Sequence, residues 1–187
     1  AGRMEPFTVA LFKQAVKPGM TVLDVGGFLG YYALVAARQI GQDGKVFVFD
    51  PDPRNFHCLE QNIHLNGLDD RITAVPKALL DRPCTLSLNI INRDPSQSSL
   101  YRTEGDNVSV EVECMALDAF LDRATTIDVL KMDVEGAEVR ALRGMEQTLA
   151  RSRNRLVMFI ECQPGALLAA GSSTQELLGY LNGAGFK

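Results

Sequence analysis

The stretch VLDVGGFLGYYAL, residues 22–34, places a carboxylate beside a turn that is rich in glycine. A strand pattern ends just after Asp24, a helical pattern begins at residue 31, and Gly26, Gly27 and Gly30 lie between them. A strand, a glycine turn and a helix bring bare backbone and a helix N-terminus close to a ligand at the carboxyl edge of a sheet. The residues therefore predict a ligand site at this turn.

The spacing of the glycines indicates which ligand the turn takes. It reads D-x-G-x-x-x-G rather than the G-x-G-x-x-G of a dinucleotide site, and Asp24 would repel a pyrophosphate. The carboxylate suits a nucleoside with an ammonium and a sulfonium, as S-adenosylmethionine has. A nicotinamide-dependent oxidoreductase is the alternative. Asp24 could also be a turn acid bonded to nearby amides, and Gly27 and Phe28, two further cofactor-contact candidates, could be packing choices.

A second acid follows the next strand. Asp50 lies 24 residues after Gly26, near the spacing at which a carboxylate accepts both hydroxyls of a ribose. Pro51 directly follows and completes this part of the predicted cofactor site. The alternative for Asp50 is a role in the turn before a helix, where Asp52 is the predicted N-cap and Pro53 the first helical residue.

Carboxylates also follow the later strands. Asp133, Glu135 and Glu161 are the predicted catalytic groups, with Asp133 the first choice, because it lies at the carboxyl end of the fourth core strand, where α/β sheets bind ligands. Glu135 could instead complement the dipole of the following helix, and this is the favoured role of Glu138. Lys131 is expected to pair with Asp133, since alternate residues of a strand point the same way.

The same carboxylates are hard oxygen ligands that would suit a divalent ion, but this is the less favoured alternative and we predict no metal site. The two histidines, His57 and His64, are seven residues apart on one predicted helix. That separation is about 10 Å along the axis, too far to share an ion. Both are expected to face solvent.

The elements that must hold these residues alternate between strand and helix. Apolar strands are predicted at 21–25, 46–49, 72–75, 127–132 and 156–160, and the helices between them include one through residues 139–149 and a last one at 174–181. This alternation predicts an α/β fold with a mostly parallel sheet flanked by helices.

The spacing of the apolar residues changes once along the chain. Apolar residues alternate with polar ones around residues 86–91 and 108–114, which predicts an antiparallel hairpin inserted between the third and fourth core strands. Its connection, residues 92–107, is long and polar, and we predict a mobile loop over the acceptor side of the cleft.

Composition narrows the function classes. The 187 residues, 46% hydrophobic, suit one domain, and a net charge of −4 argues against nucleic-acid and anionic-membrane partners. No apolar run approaches the length of about 20 residues that a membrane helix needs. The four cysteines are far apart in sequence, so we expect no disulfide or zinc site and a cytoplasmic location.

Beyond these patterns, the chain resembles the FkbM-type methyltransferase family. The segment IDVLKMDVEGAEVRALRGMEQTL, residues 127–149, resembles the family's most specific block, and residues 22–34 and 46–67 resemble its first two motifs. VECMALDAFL, residues 112–121, is similar to a further segment, with Met115-Ala116 departing from it. Gly27-Phe28 also departs, since the family commonly has Ala-Asn there.

The resemblance implies a class I, Rossmann-like, S-adenosylmethionine-dependent methyltransferase. It implies that Asp24, Gly26 and Gly30 hold the methionine end of the cofactor. It further implies that Asp50 binds the ribose and that the Lys77-Ala78 pair lies along the adenine. We expect one domain over residues 1–187, lacking or truncated before the final antiparallel strand pair of that fold.

The expected activity is O-methylation of a small hydroxylated metabolite or sugar. A cofactor-binding member of the fold without turnover is the second hypothesis, and the nicotinamide-dependent oxidoreductase is the third. The acidic charge balance and the lack of a basic stripe weigh against an RNA methyltransferase.

Overall fold

A computed structural model describes residues 5–91, 98–101 and 107–187 of the protein. The strands are β1 (Thr21–Val25), β2 (Lys45–Phe49), β3 (Ile72–Val75), β4 (Ala78–Leu79), β5 (Cys84–Ile91), β6 (Asn107–Met115), β7 (Val129–Met132) and β8 (Val157–Ile160). The α-helices are α1 (Pro6–Ala15), α2 (Tyr31–Ile40), α3 (Pro53–Leu65), α4 (Glu138–Arg143), α5 (Glu146–Ser152), α6 (Pro164–Ala169) and α7 (Thr174–Gly183).

Five parallel strands form the central sheet in the order β3-β2-β1-β7-β8. β1 lies at the centre, with Val25 beside Phe49 of β2 on one side and beside Met132 of β7 on the other. The strand order reverses at β1, and α/β sheets bind ligands beyond the carboxyl ends of the strands at such a point. The predicted α/β fold with a mostly parallel, helix-flanked sheet is therefore confirmed.

Both faces of the central sheet are buried. Val22 of β1 packs on one face together with Phe12 of α1 and Leu59 of α3. Leu23 packs on the opposite face together with Leu142 of α4. Apolar side chains on both faces explain why these strands read as unbroken apolar runs rather than as alternating ones. The sheet is thus a rigid base for whatever extends from its carboxyl edge.

The predicted hairpin is confirmed and forms a second, three-stranded sheet in the order β4-β6-β5. β5 and β6 are antiparallel, and the short β4 runs parallel to β6. The hairpin is inserted between β3 and β7, as the change of period predicts. β4 was not predicted, because two residues carry no readable pattern.

The predicted mobile loop falls largely outside the described residues, which omit 92–97 and 102–106. The part between these gaps packs back onto the hairpin. Ser99 and Asn89 exchange two backbone hydrogen bonds of 2.9 and 3.0 Å, and the Ser98 hydroxyl donates to Asp52 at 3.4 Å. The mobility of the whole connection stays a prediction.

The prediction of one helix through residues 139–149 was wrong, because the chain breaks there into α4 and α5 at Gly144. The carbonyl of Gly144 accepts a hydrogen bond of 3.0 Å from the backbone of Asp118, whose carboxylate accepts from Thr148 N at 2.9 Å and so caps α5. A side chain at Gly144 would overlap the carbonyl oxygen of Leu80. Distant partners therefore set this break.

Smaller differences concern element ends. β7 and β8 begin at Val129 and Val157, up to two residues later than predicted, and α7 continues to Gly183. No strand follows β8 within residues 161–187, and the predicted truncation stays a prediction. Across the described ranges, no helix combines the length and apolar character needed to cross a bilayer.

The break at Gly144 makes a stability prediction. Gly144→Ala should lower the free energy of unfolding by more than about 2 kcal/mol, because the added methyl meets the Leu80 carbonyl in a closely packed region. Gly179→Ala in α7 is the matched control, since a methyl there meets open space and should stabilise by about 0.5–1 kcal/mol. Urea unfolding of both variants measures these changes. Equal changes in the free energy of unfolding would contradict the steric requirement for glycine at position 144.

Candidate active site at the carboxyl edge of the sheet

The glycine turn is clamped between two strands. The backbone N–H groups of Gly26 and Gly27 both donate to the carbonyl of Phe49, at 2.9 and 3.0 Å. A Cβ at Gly26, whose φ is 80°, would overlap the carbonyl oxygen of Asp133, and one at Gly27 would overlap the side chain of Val48. Glycine is required at both positions, so the backbone alone forms this part of the cleft.

Gly30, the third glycine of the predicted cofactor site, is absent from the lining of the cleft. It is buried outside the cleft lining, and a Cβ there would press on Leu59 of α3. Its φ of 89° starts α2, and its N–H donates to the Gly27 carbonyl at 2.8 Å. Gly30 therefore shapes the turn and packs α2 against α3, and it contributes no surface to the cleft.

Asp50 braces the turn from the end of β2. One carboxylate oxygen accepts from Phe28 N at 2.7 Å and the other from Asp52 N at 3.0 Å. Burial raises the pKa of Asp50 to about 7 against the effect of these two amides. The turn role that the sequence left open is thus present. Each oxygen keeps a second lone pair, and Asp50 also lines the cleft.

Phe28 adopts a left-handed backbone conformation, with φ 51°. This conformation is uncommon for a bulky residue and easier for asparagine, the residue that the resemblance leads one to expect here. The hydrogen bond from its N–H to Asp50 holds the conformation in place. The departure at this position therefore places an aromatic side chain at the cleft on a left-handed backbone.

Asp24 is a buried carboxylate with a free oxygen. Its side chain is 1% exposed, it lines the cleft, and its Oδ2 has no hydrogen-bond partner among the described residues. Burial raises the pKa of Asp24 to about 6, while the charge of Lys131 and the backbone N–H of Ala33 act in the opposite direction. A buried acceptor without a donor is costly, so the site suits a ligand that brings a donor or a positive charge.

The carboxylates after β7 and β8 meet at the same cleft. Met132 and Ile160 are register partners, so Asp133 and Glu161, the next residues, lie side by side. A hydrogen bond to Asp133 and partial burial raise the pKa of Glu161 to about 8. Lys131 Nζ lies 3.3 Å from Asp133 Oδ2, which is the expected ion pair. Glu161 therefore keeps its proton near neutral pH, beside the ion pair between Asp133 and Lys131.

Glu135 and Glu138 differ in role. Glu138 is buried and accepts from the backbone N–H groups of Val134 and Gly136, at 3.4 and 3.2 Å, so it stabilises the loop before α4. Glu135 lines the cleft with a left-handed φ of 49°, and its carbonyl accepts from the Ser99 hydroxyl at 2.9 Å. The strained backbone at Glu135 is held by contacts from the hairpin connection.

The cleft that these residues enclose has a volume of about 300 Å³, at the small end of ligand sites. Apart from Gly30, every residue predicted for cofactor binding or catalysis lines it. Lys77 and Ala78 lie at one end, where Lys77 Nζ pairs with Glu113 at 2.7 Å. Pro51 lies beside Asp50.

Some residues that line the cleft were not predicted from the sequence. Ser98 and Leu100, from the hairpin connection, and Leu88 of β5 also line the cleft. Their position depends on how the second sheet folds over the first, which no local pattern encodes. Asn55 of α3 also lines the cleft, and its one readable signal is a polar residue on the buried face of a helix.

Cations are scarce at this edge. Lys131 is buried, pairs with Asp133 and lies 5.3 Å from the centre of the Tyr32 ring. Within the described ranges, no group of three or more His, Cys, Asp or Glu side chains is arranged to hold a metal ion. His57 and His64 are exposed on α3, as expected.

Comparison with known proteins gives one family. A model of the methyltransferase FkbM domain matches residues 24–187. Methyltransferase 1 of Beauveria bassiana is 26% identical over 146 residues, covering 67% of this chain and 58% of that protein. The 2-O-methyltransferase NoeI of Sinorhizobium fredii is 28% identical over 154 residues, covering 73% of this chain and 62% of that protein. The chain thus spans about 60% of the length of these curated relatives.

A solved structure shares the fold. The S-adenosylmethionine-dependent O-methyltransferase of Thermotoga maritima superposes with a TM-score of 0.54 and 17% identity, over 98% of this chain and 51% of that one. At this identity the likeness shows the fold, which is the class I methyltransferase architecture that the sequence predicts.

The buried carboxylates predict how stability depends on pH. The folded-state pKa of Asp24 lies above its ordinary value of 3.8, so the native state holds the proton more tightly and Asp24 destabilises the fold as pH rises through about 4 to 6. Asp24→Asn should therefore reduce the loss of unfolding free energy between pH 5 and 8 by about 1–2 kcal/mol.

Urea unfolding at both pH values measures this change. Asp43→Asn, at an exposed turn residue, is the control and should leave the pH dependence as it is in the parent. A parental pH dependence in Asp24→Asn would mean that Asp24 is charged and compensated in the folded state.

Proposed function

The chain belongs to the FkbM methyltransferase domain family, and we propose that it transfers a methyl group from S-adenosylmethionine to a hydroxyl of a small molecule. The observation that carries the proposal is the buried, unpartnered oxygen of Asp24 beside the glycine turn. A nucleotide phosphate would be repelled there, whereas the ammonium of the methionine moiety would supply the missing donor.

The residues at the cleft fit this cofactor. The glycine turn presents bare backbone to the cleft, because a Cβ at Gly26 would overlap the Asp133 carbonyl and one at Gly27 would overlap Val48. Asp50 has lone pairs left for a ribose diol, and Lys77-Ala78 would border the adenine. When bound, S-adenosylmethionine supplies a methyl group activated by a positively charged sulfur.

Asp133 is the proposed base. As a hydroxyl attacks the methyl group, its O–H becomes acidic and needs an acceptor within hydrogen-bond reach. Glu161, whose pKa is raised to about 8, keeps its own proton near neutral pH and is hydrogen-bonded to Asp133, which leaves Asp133 as the proposed acceptor. Lys131 fixes the orientation of Asp133 by its ion pair.

The hydroxyl acceptor is supported by the chemistry of the cleft and by one relative. Carboxylates accept hydrogen bonds from hydroxyl donors, and the cleft carries several of them with few cations. An acceptor with a phosphate or carboxylate of its own would meet repulsion. One relative is named a 2-O-methyltransferase, and this name states that the methyl group is transferred to an oxygen. The similarity favours the same reaction class here.

Two other hypotheses make different predictions. A member without turnover would bind the cofactor at the turn but transfer nothing, and Phe28 in place of the family's asparagine is the observation in its favour. A nicotinamide-dependent oxidoreductase would have to place a pyrophosphate beside Asp24, which the charge of the turn disfavours.

Cofactor binding is the first test. S-adenosylhomocysteine should release measurable heat on titration into the folded chain, whereas NAD should not. Asp50→Ala should weaken binding by about 1–3 kcal/mol, since two ribose donors lose a charged acceptor. Because Asp50 also braces the turn, a circular dichroism melt must show that the variant is folded. No heat from S-adenosylhomocysteine with folded parent protein would refute the proposed cofactor.

Turnover is the second test, with labelled S-adenosylmethionine and a panel of hydroxylated small molecules. Asp133→Asn should lower turnover by about 10²-fold or more while the affinity for S-adenosylhomocysteine stays within a few-fold. Asp43→Asn is the exposed control. If Asp133→Asn methylates at the parental rate, Asp133 is not the base. Activity lost to a chelator and restored by magnesium would make it a metal ligand instead.

A further inference from the structure

Two cysteines face each other at the open end of the hairpin. Cys84, the first residue of β5, is the direct register partner of Cys114 in β6, although 30 positions separate them in sequence. Directly opposed residues of antiparallel strands have Cα atoms about 4.5–5.5 Å apart, within the span of about 4.4–6.8 Å that a disulfide bridges. Both thiols are free in the structure.

We propose that Cys84 and Cys114 form a dithiol that closes into an intrachain disulfide when it meets a peroxide or a small-molecule disulfide. The expectation from sequence was that the cysteines are too far apart to pair. The hairpin register removes that separation, and pairing at this site needs no rearrangement of the strands.

The two thiols differ in access. Cys114 is 4% exposed and lies between β4 and β5, with Ala78 as its partner on one side and Cys84 on the other. Burial and the neighbouring Cys84 raise the pKa of the Cys114 thiol to about 12, against the opposite effect of the Arg140 charge. Cys84 is only partly buried, so it is the thiol that an oxidant reaches first.

The chemistry balances in two steps. The Cys84 thiolate attacks hydrogen peroxide and the O–O bond breaks, which gives a sulfenic acid on Cys84 and a hydroxide ion. The hydroxide takes up the proton that the thiol lost and becomes water. The Cys114 thiol then displaces the sulfenic oxygen, so that an S–S bond forms and a second water leaves. With oxidised glutathione instead, Cys84 breaks the S–S bond, forms a mixed disulfide and releases one glutathione as a thiol. Cys114 then attacks the mixed disulfide and releases the second glutathione as a thiol.

The other cysteines lack this arrangement. Cys58 lies on α3 and Cys162 follows β8, and both are exposed. Neither has a cysteine as a strand partner in the described sheets. Cys58 is therefore a matched control, because it is an exposed thiol that meets the same oxidant without a partner.

The dithiol also borders the cleft. Cys114 packs with Ala78, which lines the cleft, in a small apolar cluster that also holds Leu100. A bond from Cys114 to Cys84 would tie β5 to β6 beside this wall. Oxidation should therefore stabilise the hairpin against unfolding, by restricting the unfolded chain.

The experiment treats the reduced full chain with hydrogen peroxide or, in a separate arm, with oxidised glutathione. Thiols counted after denaturation should fall from four to two or fewer, since the exposed Cys58 and Cys162 can also be oxidised singly. A proteolytic map should show the peptide with Cys84 joined to the peptide with Cys114. The melting temperature should rise by about 5–10 °C, which reduction reverses. Neither cofactor nor acceptor is needed, so the outcome does not depend on the proposed methyl transfer.

Variants make the test specific. Cys58→Ser should keep the cross-link and the rise in melting temperature, whereas Cys84→Ser should lose both. If reduced Cys84→Ser is not folded, the peptide map of the parent decides. Four thiols that persist in oxidised parent protein, or cross-links that involve Cys58 or Cys162 instead, would overturn the proposal.

Discussion

The close approach of the glycine turn to the neighbouring strands is the constraint on which the rest of the site depends. The amides of Gly26 and Gly27 converge on one carbonyl of β2, and the Cα of Gly26 packs against the Asp133 carbonyl after β7. Without a Cβ at either glycine, the ends of β1, β2 and β7 come close together. Asp24, Asp50 and Asp133, which follow from three different parts of the sequence, then line one cleft.

This convergence has an electrostatic consequence. Several carboxylates are crowded at one sheet edge, and burial raises the pKa values of Asp24, Asp50 and Glu161. Two of these groups find local partners, since Asp50 accepts from turn amides and Glu161 bonds to Asp133. Asp24 keeps one oxygen without a partner among the described residues. The fold therefore keeps a buried, unpartnered carboxylate oxygen next to bare backbone. A sulfonium nucleoside with an ammonium group would supply the hydrogen-bond donor and the positive charge that this oxygen lacks.

Features that depend on neighbouring residues were predicted from the sequence, whereas features that depend on contacts between distant residues were not. The apolar runs of β1 and β2, the period of two in the hairpin and the N-cap at Asp52 are local, and each was predicted and found. The break at Gly144 was missed because it depends on Leu80 and Asp118, which are distant in sequence. The cysteine pair and the hydrogen bond from Glu161 depend on strand register. The role of Gly30 depends on how two helices pack. Pattern reasoning finds the residues of such a site, but the contacts that assign their roles come from the folded chain.

A crystal structure of the chain with S-adenosylhomocysteine would test the central claim most directly, because it locates the ligand's amino group relative to Asp24. The account predicts that this nitrogen lies within hydrogen-bond distance of the Asp24 carboxylate, with the ribose hydroxyls at Asp50. A ligand bound elsewhere, or bound in the cleft with its amino group away from Asp24, would contradict it.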